Sequence, residues 1–186
     1  MYRIKKLAEL VEGWRRVSQV RAAVAELTKR VTTGKEPFLG QPLPDELVHG
    51  RLPPGIESAW VFVLKPQTLC PPHKHPNSVQ HMAVIEGGGR YVIGAKADFL
   101  QPFDPAFPER SIYVIPEGVS LAFEPGHEPL VVLSFHTVPA DQLVKVEVAS
   151  EKKRTHTGRE GAGREKGKRV SRAPHGKRNG RRPRKG

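Results

Sequence analysis

Hydrophobic residues recur every three or four positions along the first thirty residues, at Ile4, Leu7, Val11, Trp14, Val17, Val20, Val24, Leu27 and Val31. That spacing is the helical period and predicts one long helix over residues 2–32. Glu9, Glu12 and Glu26 share the other positions with Arg15, Arg16, Lys29 and Arg30, and Gly34 follows as a stop signal. Some thirty helical residues span about 45 Å, more than a small domain needs for cover. The helix therefore either packs on the following domain or pairs with a second copy as a homodimer, since the spacing approaches a heptad. Acidic residues on its polar face argue against a helix lying on a membrane.

Beyond residue 34 the period changes. Residues 35–58 carry Pro37, Pro42, Pro44, Pro53 and Pro54 with glycines at 40, 50 and 55, a connector composition that resists helix and interior strand. Pro44-Asp45-Glu46-Leu47 within it can start a short helical turn. Then come short apolar runs. Ala59–Lys65 is continuous and predicts a strand buried on both faces. Thr68–His75, Gln80–Glu86 and Arg90–Ala95 follow, the last two reading as a hairpin about Gly87-Gly88-Gly89. Residues 96–109, with three prolines and three phenylalanines, read as a loop. Ser111–Ile115, Val119–Phe123, Leu130–Thr137 and Leu143–Val148 complete about eight strands. Many short strands with little helix between them predict a mainly β sandwich or barrel rather than a parallel sheet.

Charge divides the chain again. Residues 151–186 hold 15 of the 31 Lys and Arg but 3 of the 19 Asp and Glu, so the whole formal charge of +12 resides there. With Val170 as the lone large aliphatic residue, the segment 150–186 predicts a disordered basic tail. Such a tail contacts nucleic acid through non-specific counterion release, and with no aromatic residue it cannot stack on bases. The single cysteine, Cys70, rules out an intramolecular disulfide. The absence of a signal-like apolar core and of any membrane-length apolar run predicts a cytoplasmic location and no membrane partner.

The chemistry concentrates at Pro71–Gly89, PPHKHPNSVQHMAVIEGGG. In an extended chain, His73 and His75 place their imidazoles on one face. Two converging neutral imidazoles are how proteins hold Fe, Mn, Ni, Cu or Zn. Gln80 follows five residues later, then an apolar strand and the glycine turn.

This pattern of His73, His75, Gln80 and Gly87 resembles the first sequence motif of the cupin superfamily. Pro116-Glu117-Gly118 resembles the Pro-x-Gly of its second motif. The likeness covers roughly residues 58–149. It implies a double-stranded β-helix, or jelly-roll, barrel over 59–149; the helix that periodicity places within 1–34 and the connector at 35–58 precede it. It also implies a divalent metal cofactor, a small-molecule substrate or ligand, and reactions of the dioxygenase, isomerase or decarboxylase classes. The chain departs from the motifs where Gln80 replaces the usual Glu and Leu121 replaces the usual His. Three states stay open: a metal held by His73, His75 and Gln80; a site completed by His81 or His136; and a metal-free, non-enzymatic barrel that binds a small ligand.

Overall fold

The computed structural model describes residues 2–148; the predicted basic tail and its nucleic-acid contacts lie outside the described residues. Ten strands form two five-stranded antiparallel sheets. The first sheet has the order β1 (Phe38–Pro42), β2 (Ser58–Leu64), β9 (Leu130–His136), β4 (Gln80–Glu86), β7 (Ile112–Ile115). The second has the order β10 (Val146–Glu147), β3 (Cys70–Lys74), β8 (Leu121–Pro125), β5 (Gly89–Ile93), β6 (Lys96–Phe99). Successive strands keep crossing from one sheet to the other, as a jelly roll requires.

Alternation along the central strands sorts side chains into two cores. Met82 and Val84 of β4 and Leu130 and Val132 of β9 face the barrel interior, against Leu121 and Phe123 of β8. The intervening Ala83, Val131, Leu133 and Phe135, with Val61 and Val63 of β2, face outward into a second core. β2 and β9 are thus apolar along most of their length because both faces are covered, with Ser58, Ser134 and His136 the buried polar exceptions.

The cover on the first sheet is the N-terminal helical segment. It is two helices, α1 (Tyr2–Trp14) and α2 (Ser18–Thr33), where the periodicity predicts one. The break lies at Arg15–Val17, with Val17 extended (ψ 133°) and the preceding turn tightened by bonds from Arg16 N–H to the Gly13 carbonyl and from Val17 N–H to the Trp14 carbonyl. Breaking there lets Leu7, Val11 and Trp14 of one helix and Val20, Val24, Leu27 and Val31 of the next all reach the same sheet. Trp14 stacks on Phe135 with ring centroids 5.7 Å apart. The apolar stripe is covered by this chain's own sheet, so a homodimer would have to form on another face.

Three other expectations change. The connector contributes β1, an edge strand paired with β2, where Pro42 costs no ladder bond; α3 (Asp45–Val48) follows at the predicted turn. β4 and β5 are not a hairpin: β4 pairs with β7 and β9, β5 with β6 and β8. Gly87, at φ +74°, carries the chain from one sheet to the other, and a Cβ there would collide with the Pro129 carbonyl. The predicted loop at 96–109 holds the wholly exposed edge strand β6 and the start of one helical turn, α4 (Pro108–Ser111), so that the next strand begins at Ile112 and not at Ser111.

Candidate functional site

β3 brings His73 to the barrel interior, and His75 follows just beyond its end; both are buried, as period-two alternation requires. Their rings stand edge to face, centroids 5.5 Å apart. Each has its Nδ1 committed to a backbone carbonyl, His73 to Pro71 (3.1 Å) and His75 to Val144 (2.8 Å). A carbonyl can only accept, so both Nδ1 atoms carry the proton and both Nε2 atoms present a lone pair. Burial, aided by the nearby Lys145 cation, pushes His73 down to about 4 and also lowers His75. Both imidazoles are therefore neutral at neutral pH, the form that ligates a metal.

Gln80, on β4, completes the floor. Its amide Nε2–H donates to Ser134 Oγ (2.8 Å), and its Oε1 is buried without a partner among the described residues. An amide oxygen left so costs roughly 1–3 kcal/mol unless something else binds it.

Above this floor lies a cavity of about 190 Å³, walled by Phe38, Trp60, Phe62, Leu64, Phe123, Val132 and Leu143. Phe38 stacks on the His73 ring (6.2 Å, 13°), and Trp60 on Phe62 (5.7 Å). Gly40 makes room for that wall, since a Cβ there would overlap the Phe62 ring. Lys145 lines the cavity with its Nζ 4.2 Å above the Phe38 ring, and Glu147 lies 4.0 Å away. No Asp or Glu lines the cavity among the described residues.

Leu121, opposite His73 in the β3–β8 ladder, is 1% exposed and fills the interior where the second motif would place an imidazole. His81 points the other way, as alternation predicts, and lies buried with its Nδ1 unpartnered among the described residues. His136 points inward, paired across the ladder with Gln80 and 5.0 Å from the His75 ring. Its Nε2 is engaged by Ser134 Oγ (3.1 Å). Neither residue therefore supplies a free lone pair to the floor. Cys70 lines the cavity as a buried thiol pushed up to about 11, hence uncharged. Tyr113 packs against Tyr91, away from these walls.

Sequence reasoning does not single out Phe38, Ser134 or Lys145. Ser134 and His136 do leave a signal, two polar inward positions in the otherwise apolar strand LVVLSFH. Phe38 and Lys145 lie on segments that reach the site only through long-range pairing.

Strand order and pairing define the class: the fold is a double-stranded β-helix of the cupin type. No family model matches the sequence, and no match to a curated protein is found. Solved structures similar to part of the chain include oxalate decarboxylase from Lactobacillus farciminis (16% identity, TM-score 0.47, 61% of this chain and 32% of that one). A vicilin from Solanum melongena matches at 18% identity and TM-score 0.48 (68% of this chain, 35% of that one). A cupin-2 domain protein from Rhodospirillum rubrum matches at 16% identity and TM-score 0.47 (62% and 68%). The chain spans about a third of the length of the first two. These likenesses bring no residue roles with them.

The donor set decides whether a metal fits. Two neutral imidazoles and an orphaned amide oxygen border one buried space. Among the described residues, no group of three His, Cys, Asp or Glu is arranged to hold an ion. The set fits a divalent ion held without any anionic protein ligand, with coordination positions open to a small molecule.

Proposed function

We propose that the barrel holds a divalent metal ion through His73 Nε2, His75 Nε2 and Gln80 Oε1, and takes a small organic molecule into the adjoining cavity. The observation that carries this reading is a set of acceptors lining one cavity: two imidazoles whose Nδ1 atoms are committed to carbonyls, leaving the Nε2 lone pairs, and a buried amide oxygen without a partner among the described residues. The aromatic walls would bind a flat or apolar body and exclude water from the floor. The Lys145 ammonium would meet an anionic group of the ligand. A bound ion would supply Lewis-acid or redox chemistry, in keeping with the dioxygenase and isomerase classes that the sequence resemblance implies.

The second reading is a metal-free, non-enzymatic ligand-binding barrel, favoured by Leu121 and by the cavity's lack of carboxylates. A third role, nucleic-acid contact, rests on the basic composition of residues 151–186 alone. Metal content by mass spectrometry tests the first reading, using untagged full-length chain beside a His73→Ala, His75→Ala variant. About one ion per chain, lost in the variant, supports it. No ion after reconstitution with Fe(II), Mn(II), Ni(II) or Zn(II) overturns it in favour of the metal-free barrel.

A further inference from the structure

Beneath Gln80 runs a buried relay of hydrogen bonds. Gln80 Nε2 meets Ser134 Oγ (2.8 Å), which meets His136 Nε2 (3.1 Å). His136 Nδ1 meets Ser78 Oγ (3.3 Å), and Ser78 Oγ donates to the Val79 carbonyl (3.1 Å). Ser134 and His136 are fully buried and Ser78 nearly so. We propose that Ser134 and His136 are positioning residues that fix which end of the Gln80 amide faces the cavity, so that it offers an oxygen and not an N–H; this rests on the metal-site reading.

The number of protons along the relay sets the direction of each bond. A serine hydroxyl has one proton. Ser78 gives its proton to the Val79 carbonyl and accepts from Thr137 N–H (3.1 Å), so toward His136 Nδ1 it can only accept. Thr137 Oγ1, 3.5 Å from Ser78 Oγ, already accepts from Val79 N–H. His136 is then the Nδ1–H tautomer, with its Nε2 lone pair facing Ser134. Ser134 donates to that lone pair and can only accept from Gln80. The Gln80 end bound to Ser134 must be the NH₂, which leaves Oε1 toward the floor. Turning the amide over would reverse every bond and strip the Val79 carbonyl of its donor. A carbonyl at the far end thus selects the polarity of the near end. It also explains why His136, though inward, does not serve as a ligand.

Two measurements test this. Long-range ¹H–¹⁵N correlation on the metal-free, full-length protein reads the His136 tautomer. Nδ1–H is expected; Nε2–H would overturn the relay whatever the metal result. Calorimetric titration with Mn(II) or Co(II) then compares wild type, Ser134→Ala and Ser134→Thr. Loss of an orienting partner is expected to weaken binding about 10–100-fold in Ser134→Ala, with recovery in the hydroxyl-bearing variant. Equal affinity in wild type and Ser134→Ala would overturn the positioning role. An Nδ1–H tautomer in a wild type that binds no metal would support the relay and sink the metal-site reading instead.

Discussion

Acid should destabilise this fold earlier and more steeply than carboxylate protonation alone would. His73, His75, His81 and His136 are all buried and held neutral, and burial is the leading cause at each. His73 and His81 are pushed down to about 4 and His136 to about 3, from 6.5. Above pH 6.5 the folded and unfolded chains are both neutral at these rings, and their contribution is fully present. As pH falls through 6.5 the unfolded chain takes up protons that the folded one refuses, so stability drops until the folded values near 4 and 3 are reached. Each proton bound only by the unfolded state tilts stability by about 1.4 kcal/mol per pH unit. His73 and His136 alone therefore give a slope on the order of 2–3 kcal/mol per unit near pH 5. Water entry on protonation reduces the contribution of each ring, while His75 and His81 add contributions of the same sign. Between pH 6.5 and 4.5 the loss is a sizeable share of the roughly 5–15 kcal/mol that holds a domain together. Urea unfolding, followed by tryptophan fluorescence at pH 7, 6, 5 and 4.5 with a chelator present, measures it. A His136→Gln variant should show a slope shallower by about 1 kcal/mol per unit. A free energy of unfolding that stays flat from pH 7 to 5 would refute the reasoning.

Further expectations follow from single contacts. Trp14→Ala removes the stack on Phe135 and should cost about 3–5 kcal/mol of stability in denaturant unfolding. Gly40→Ala forces the Phe62 ring aside, and should lower stability by about 1–3 kcal/mol and shrink the cavity in a crystal structure. Leu121→His places an imidazole opposite His73, and should tighten divalent metal binding by about tenfold or more in calorimetry. Unchanged affinity in that variant would mean that position 121 does not face the floor.

Legibility in the sequence tracks how local the cause is. A continuous apolar run and a clear glycine stop place β4 at Gln80–Glu86, residue for residue. The double-faced burial of β2 is readable because the run Ala59–Leu64 has no polar side chain to spare for solvent. Alternation also separates His73, His75 and Gln80 from His81. The break between α1 and α2 is not readable, because no proline marks it and both helices share one apolar phase; the sheet beneath decides where the chain bends. Gly87-Gly88-Gly89 serves a crossing between sheets as readily as a hairpin, since positive φ and a missing Cβ suit both. β1 and β6 are edge strands with weak patterns, held by their neighbours. The facing of His136 depends on the register of β9 against β4, and the placing of Lys145 on the β10–β3 pairing. Both are long-range facts that no local pattern encodes.

In the metal-site reading one ion sits on His73, His75 and Gln80. Anomalous diffraction at the metal edge, from crystals of full-length protein reconstituted with Mn(II) or Zn(II), tests it most directly. One peak inside the barrel is expected, about 2.0–2.3 Å from both Nε2 atoms and from Gln80 Oε1. A barrel without a peak, or a peak whose neighbours exclude Gln80, would contradict it.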